Sequence, residues 1–114
     1  KKLISTEKQQ FEQNINTYIL NHLTEDLSVD RLCEHLHLSR RKIYEYSEEF
    51  LHCSIAKYIK KMRLQYAQTL LTKTILPIST ISEQCGFSDY NYFCRVFKQE
   101  NGMSARSYRT AQQT

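Results

Sequence analysis

Breakers of regular structure are nearly absent: the 114 residues include 1 Pro and 2 Gly. Apolar residues fall at helical rather than alternating spacing, so this scarcity points to an all-α protein. No apolar run approaches the roughly 18 residues that a membrane helix needs. The opening KKLISTEKQQFEQ lacks the apolar segment of a signal peptide. The expectation is therefore a soluble, cytoplasmic protein with no membrane partner. No CxxC occurs. Cys33, Cys53, Cys85 and Cys94 each lie in or beside an apolar helical pattern, as expected of small buried thiols in a reducing compartment. Cys33, His35 and His37 cannot share one helical face, which argues against zinc. No set of acid, base and nucleophile stands out, so neither an enzyme nor a cofactor site is expected. The chain begins with Lys rather than Met, which suits a fragment of a longer protein.

What the chain does have is amphipathic helical pattern and a modest positive balance. Lys+Arg 16 against Asp+Glu 12 gives +4, which permits nucleic acid as a partner without demanding it. The length suits one domain or two very small ones. Phe11, Ile15, Tyr18 and Ile19 form an apolar stripe over Glu7 to Leu23. Ser28 is a good N-cap for a short helix with Val29, Leu32, Cys33 and Leu36 inward, and Ser39 caps the next, RRKIYEYSEEF. Ile55 to Thr72 forms the longest helix, with Ile55, Ile59, Met62, Tyr66 and Leu70 on one stripe and Lys57, Lys60, Lys61, Gln65 and Gln68 opposite. Pro77 then opens Ile78 to Cys85, Gly86 makes a tight turn, and a further helix begins at Asp89. Ser104 caps a last helix whose Tyr108 returns to the core.

A helix, a short turn and a second helix thus occur twice, and the two units match residue for residue. At an offset of 49, Val29, Leu32, Glu34, Leu36 and Leu38 match Ile78, Ile81, Glu83, Cys85 and Phe87. Past the turn the offset is 50, and Ser39, Ile43, Ser54 and Tyr58 match Asp89, Phe93, Ser104 and Tyr108. About seven helices follow: a leader with the first helix (1–27), a first helix-turn-helix (28–53), a linker helix (54–74), and a second helix-turn-helix with the C-terminal helix (75–114). Two reading helices separated by one rigid helix suit successive major grooves, which recur on one face of duplex DNA every roughly 34 Å. One chain then does what a dimer usually does, on a site that need not be palindromic.

From about Ser28 to Arg109 the chain resembles the DNA-binding domain of the AraC/XylS family of bacterial transcription regulators. The resemblance rests on Ser28-Val29 and Leu32, Leu38-Ser39, the run Tyr58, Arg63-Leu64, Ala67, Leu70-Leu71, and above all Gly86-Phe87-Ser88-Asp89, Tyr92-Phe93, Arg95 to Lys98, Gly102, Ser104 and Tyr108-Arg109. The first unit departs from the family pattern. His37 and His52 stand where the family carries Gly, and Ser47-Glu48 where it carries Phe-Lys; Cys33 and Ser82 replace Ala. The resemblance implies double-stranded DNA and RNA polymerase as partners, an activating role, and a separate effector or dimerisation domain outside these residues.

Base readout needs side chains on the outer face of a reading helix near its N-terminus. Those are Arg40, Arg41, Tyr44 and Glu45 in the first unit and Tyr90, Asn91 and Arg95 in the second. The family's base-contacting positions fall on the same residues, Arg40 excepted. Arg41 and Arg95 suit a fork onto guanine O6 and N7, Asn91 suits adenine N6 and N7, and Tyr90 suits a sugar or a thymine methyl. Glu45 either accepts from cytosine N4 or only orients Arg41 from one turn away. Ser39, Lys42, Lys60, Lys61, Lys98 and the amides at Ile78, Ser79 and Thr80 are candidates for the phosphate backbone. The lysines of the long helix equally suit a plain solvated face.

Charge divides the units. Residues 40–50 carry Arg40, Arg41 and Lys42 against Glu45, Glu48 and Glu49. Residues 51–63 carry Lys57, Lys60, Lys61 and Arg63 with no acid, and residues 86–109 carry Arg95, Lys98, Arg106 and Arg109 against Asp89 and Glu100. Phosphate attraction is therefore expected mainly from the second unit and the nearby lysines. The neutral first unit motivates an alternative: a helical protein-interaction module that has lost DNA binding.

Overall fold

The computed structural model describes residues 2–113, with side chains from Thr6 onward. The expectation for the first five side chains, that they belong to no signal segment, lies outside the described residues. Seven α-helices and no strand occur among the described residues: α1 (Lys2–Asn21), α2 (Val29–Leu36), α3 (Arg40–Tyr46), α4 (Ile55–Lys73), α5 (Ile78–Gln84), α6 (Tyr90–Asn101) and α7 (Ala105–Gln112). None of them is long and apolar enough to cross a membrane. The chain divides into two compact units, 1–62 and 63–114.

In the first unit α1 packs on α2, and α2 on α3. Phe11, Ile15, Tyr18, Ile19 and Leu23 are buried along α1, as the stripe predicts, together with Leu32, Ile43, Phe50, Ile55, Ile59 and Met62. Each such apolar side chain contributes about 1.5–3 kcal/mol on leaving water. The helix begins at Lys2 rather than Glu7, because nothing between them breaks it. After α3 the chain does not stop at a helix end but widens into a π-turn over Ser47–Leu51. There the buried Ser47 Oγ donates to the Ile43 carbonyl at 2.7 Å, a back-bond that loosens the local helical ladder. The wider turn helps Phe50 meet Tyr46 and Phe11, with ring centroids at 4.9 and 6.1 Å.

The second unit has one core: Leu64, Ala67, Leu71, Ile81, Cys85, Phe87, Phe93, Val96, Phe97 and Ala105. The expected stripe on α4 is corrected in its second half. Leu64, Ala67 and Leu71 are buried, while Tyr66 and Leu70 are half-buried at the margin. Residues 55–62 of this helix belong to the first unit and residues 63–73 to the second. The cysteine reading is also corrected: Cys85 is buried, but Cys33, Cys53 and Cys94 are half-buried. Burial pushes the Cys85 thiol up to about 12 against a small opposing effect of Arg63. Arg109, counted above in the charge balance of residues 86–109, donates to the Leu71 carbonyl at 3.1 Å and the Thr74 carbonyl at 3.3 Å. It closes the C-terminus of α4, where carbonyls lack helical partners.

The duplication extends to the backbone. Leu38 donates to the Cys33 carbonyl at 3.2 Å and Phe87 to the Ser82 carbonyl at 3.0 Å, the same turn at matched positions. The left-handed residues also match: His37 with Gly86 and His52 with Gly102.

Candidate nucleic-acid interface

Each unit presents one helix with a buried face, a capped N-terminus and an exposed polar face. In the second unit the Asp89 side chain accepts the Tyr92 amide at 3.0 Å, fixing where α6 begins. Phe93, Val96 and Phe97 anchor its inner face in the core. Asn91 and Arg95 are therefore exposed on the opposite face, Tyr90 is exposed at the first position of the helix, and Tyr92 and Lys98 are exposed as well. The Arg95 guanidinium lies over the Tyr92 ring, 5.3 Å from its centroid, a contact that limits its rotamers while leaving its donors outward. The neighbouring Cys94 thiol and partial burial raise the Tyr90 phenol's pKa, while Arg106 acts in the other direction. The Tyr90 hydroxyl thus keeps its proton at neutral pH and remains a donor.

In the first unit Ser39 Oγ accepts the Lys42 amide at 3.1 Å, so its cap role occupies one lone pair while its O–H remains able to donate. Ile43 is fully buried beneath α3, and Arg40, Arg41, Tyr44 and Glu45 are exposed. These side chains bind one another. Arg40 Nη1 donates to Asp30 and its Nη2 to the Tyr44 hydroxyl at 3.3 Å. Asp30 is the first cause of a raised Arg40 pKa. Arg41 Nε donates to Glu45 Oε2 at 3.1 Å, and Lys42 Nζ lies 3.8 Å from Glu45 Oε1. Lys42 also covers the Tyr46 ring at 5.2 Å. By contrast, among the described residues no ion pair joins Arg95, Lys98 or Arg106 to a carboxylate.

Among the phosphate candidates, Lys61 and Ser79 are exposed and Lys60 and Thr80 half-buried. Ile78 packs against the core, so only its amide, in the first turn of α5, is available. Two residues of this surface are absent from the site residues expected above. Asp30 meets Arg40 across the turn between α2 and α3, a separation with no helical periodicity to reveal it. Tyr92 sits three residues before Arg95, and that spacing on one helix face was the signal for it.

Two copies of a capped helix-turn-helix, each with an exposed polar face on its second helix, define a double helix-turn-helix DNA-binding domain. A family model described as a helix-turn-helix domain matches residues 32–111, and the chain belongs to this family in its AraC-type form, as a DNA-binding domain of transcription regulators. The chain is 33% identical over 107 residues to the HTH-type transcriptional activator RhaR of Salmonella dublin, covering 94% of this chain and 38% of that protein. It thus spans well under half the length of the curated relatives it matches. The C-terminal domain of AraT, a response regulator from Geobacillus stearothermophilus, is 31% identical with a TM-score of 0.75, over 84% of this chain and 80% of that one. An AraC-type transcriptional regulator from Chromobacterium violaceum shares the fold at a TM-score of 0.86 and 24% identity, over 94% of this chain and 96% of that one.

Proposed function

We propose that this domain binds double-stranded DNA sequence-specifically, offering α3 and α6 to the major groove within one polypeptide. The observation that carries this reading is the outer face of α6: Tyr90, Asn91 and Arg95 stand exposed over a fully buried Phe93 and Phe97. In the proposed roles Arg95 takes guanine O6 and N7, Asn91 takes adenine N6 and N7, and Tyr90 contacts a sugar or a thymine methyl. Arg41, Tyr44 and Glu45 read from α3, and Arg40 flanks them. Ser39, Lys42, Lys60, Lys61, Lys98 and the first amides of α5 at Ile78, Ser79 and Thr80 hold phosphates and set the register. With both helices engaged, the site is an asymmetric one of two major-groove segments about one helical turn apart.

In the whole protein we propose a cytoplasmic activator that works with RNA polymerase and carries a further effector or dimerisation domain; no catalytic role is assigned to this part. Selection from random duplex, followed by titration of the winner at several salt concentrations, tests the reading. Expected are affinity that falls steeply with salt and a clear preference over random duplex. Equal affinity for both, or no selected site, would instead favour a protein-interaction module, the reading that the ion-paired face of α3 supports.

A further inference from the structure

We propose that Asp30 and Glu45 are specificity-determining residues: they neutralise the reading helix of the first unit, so that α3 contributes discrimination rather than affinity. The inference rests on the DNA-binding reading above. It starts from charges at matched positions. Where the second unit carries Ser79, Arg95 and Lys98, the first carries Asp30, Glu45 and Glu48. An exposed arginine on α6 thus becomes an exposed carboxylate on α3.

The geometry then assigns each cation of α3 to an acid. Arg40 is held by Asp30, Arg41 by Glu45 at 3.1 Å, and Lys42 by the other oxygen of Glu45 at 3.8 Å. With its cations paired and Glu48 and Glu49 exposed, this face offers phosphates no net attraction. It therefore adds little on a random duplex. On a matched duplex it adds selectivity. Arg41 is gripped through Nε, which leaves its two Nη groups outward as the fork that fits guanine O6 and N7. The Glu45 carboxylate beside it accepts from cytosine N4 and is repelled by the acceptor edges of guanine and by phosphate. Arg40 has one Nη on Asp30 and the other on the Tyr44 hydroxyl. Its role becomes that of a positioning residue for Tyr44 rather than a reader. Repulsion built against wrong partners is a common route to selectivity.

Asp30→Asn, Glu45→Gln and the double variant test this by fluorescence anisotropy on the selected duplex and on random duplex across a salt series. The four side chains in these pairs other than Lys42 are Asp30, Arg40, Arg41 and Glu45, all exposed, so the melting temperature should stay near that of the parent. The double variant is expected to bind random duplex about three- to tenfold more tightly, with a log–log salt slope steeper by about 1 to 2 as freed cations reach phosphates. Its preference for the selected duplex should fall by a similar factor. Asp26→Asn, the same charge change as either single variant but on the loop after α1, should leave slope and preference unchanged. Unaltered slope and preference in the double variant would overturn the inference, as would an equal gain from Asp26→Asn. Glu45→Gln weakening only the selected complex, with random binding unchanged, would also overturn it, because Glu45 would then merely orient Arg41. If the parent itself prefers no duplex, the DNA reading fails first; if the parent selects a site and the variants discriminate as well as it does, the inference alone fails.

Discussion

The two units share a backbone plan, yet they fill and charge it differently. The position seven residues after the start of the reading helix holds Phe97 in the second unit and Ser47 in the first. Phe97 is fully buried among Phe93 and Tyr108, with ring centroids at 5.7 and 5.6 Å. Ser47 is just as buried but bonds its own helix, and the ring volume comes instead from Phe11 of α1, Tyr46 and Phe50. The reading helix of the second unit thus supplies this ring itself, packed with residues of α4 and α7, whereas the first unit uses a ring from α1. The lesson is that a duplicated fold tolerates loss of its central aromatic when a neighbouring element supplies replacement volume.

The largest effect that should separate the units is Phe97→Ala. Deleting a fully buried ring is expected to cost about 3–5 kcal/mol, while Ser47→Ala removes one back-bond and should cost about 1 kcal/mol or less. Hydrogen exchange resolves the two: Phe97→Ala should strip protection from the amides of 78–112, and Ser47→Ala should leave 40–51 largely protected. Similar losses in both would break the comparison. Next comes Arg95→Ala, expected to weaken the selected complex by about 1–3 kcal/mol and to relax choice at one base pair. The matched Glu45→Ala should weaken it far less. Parallel titrations on one duplex measure both, and a larger loss at Glu45 would contradict the division of labour between α6 and α3.

Much of this was legible in the residues. Ser28, Ser39, Asp89 and Ser104 cap the helices they were expected to cap, each side chain accepting an amide at 3.0–3.2 Å. A cap is a local device, and local chemistry reads directly from sequence. The exposed faces of α3 and α6 were legible for the same reason, since helical spacing puts Asn91 and Arg95 opposite Phe93 and Phe97, and Tyr90 is the first residue of its helix. Three features were not. On α4 the change from Met62 to Leu64, Ala67 and Leu71 depends on which core takes the helix, a tertiary fact that no single stripe encodes. The pairing of Asp30 with Arg40 crosses a turn, and Arg109 reaches back to carbonyls 38 and 35 residues earlier. Periodicity is silent on contacts of that range.

The turn residues sharpen the comparison at a smaller scale. His37 and His52 hold φ 58° and 59° where the other unit uses Gly86 at 96° and Gly102 at 73°. A left-handed non-glycine residue costs about 1–2 kcal/mol, partly offset by the extra freedom that glycine has in the unfolded chain. His52→Gly is therefore expected to stabilise by about 0.5–1 kcal/mol, and Gly102→Ala to destabilise by about 1 kcal/mol. At Gly102 an added Cβ meets nothing within 4 Å, so any loss there is backbone strain and not a clash. Urea midpoints of the pair should move in opposite directions, and movement in the same direction would show that the αL positions are not equivalent.

An effect as small as that at His52 is expected at Ser82, which is 1% exposed and whose Oγ has no hydrogen-bond partner. Its counterpart in the first unit, Cys33, is half-buried and carries a thiol that is easily taken out of water. A buried hydroxyl without a partner loses its hydration and gains nothing in return. Replacing Ser82 with Ala removes the oxygen and leaves a cavity smaller than a methyl group, so the desolvation term outweighs the packing term. Ser82→Ala should raise stability by about 0.5–1 kcal/mol, read as a higher denaturation midpoint with an unchanged m-value. Ser82→Cys, which copies the first unit, tests whether the polar atom or the volume is at fault. A gain from Ala together with a loss from Cys would point to tight packing around the site, whereas gains from both would fix the defect on the unpaired hydroxyl.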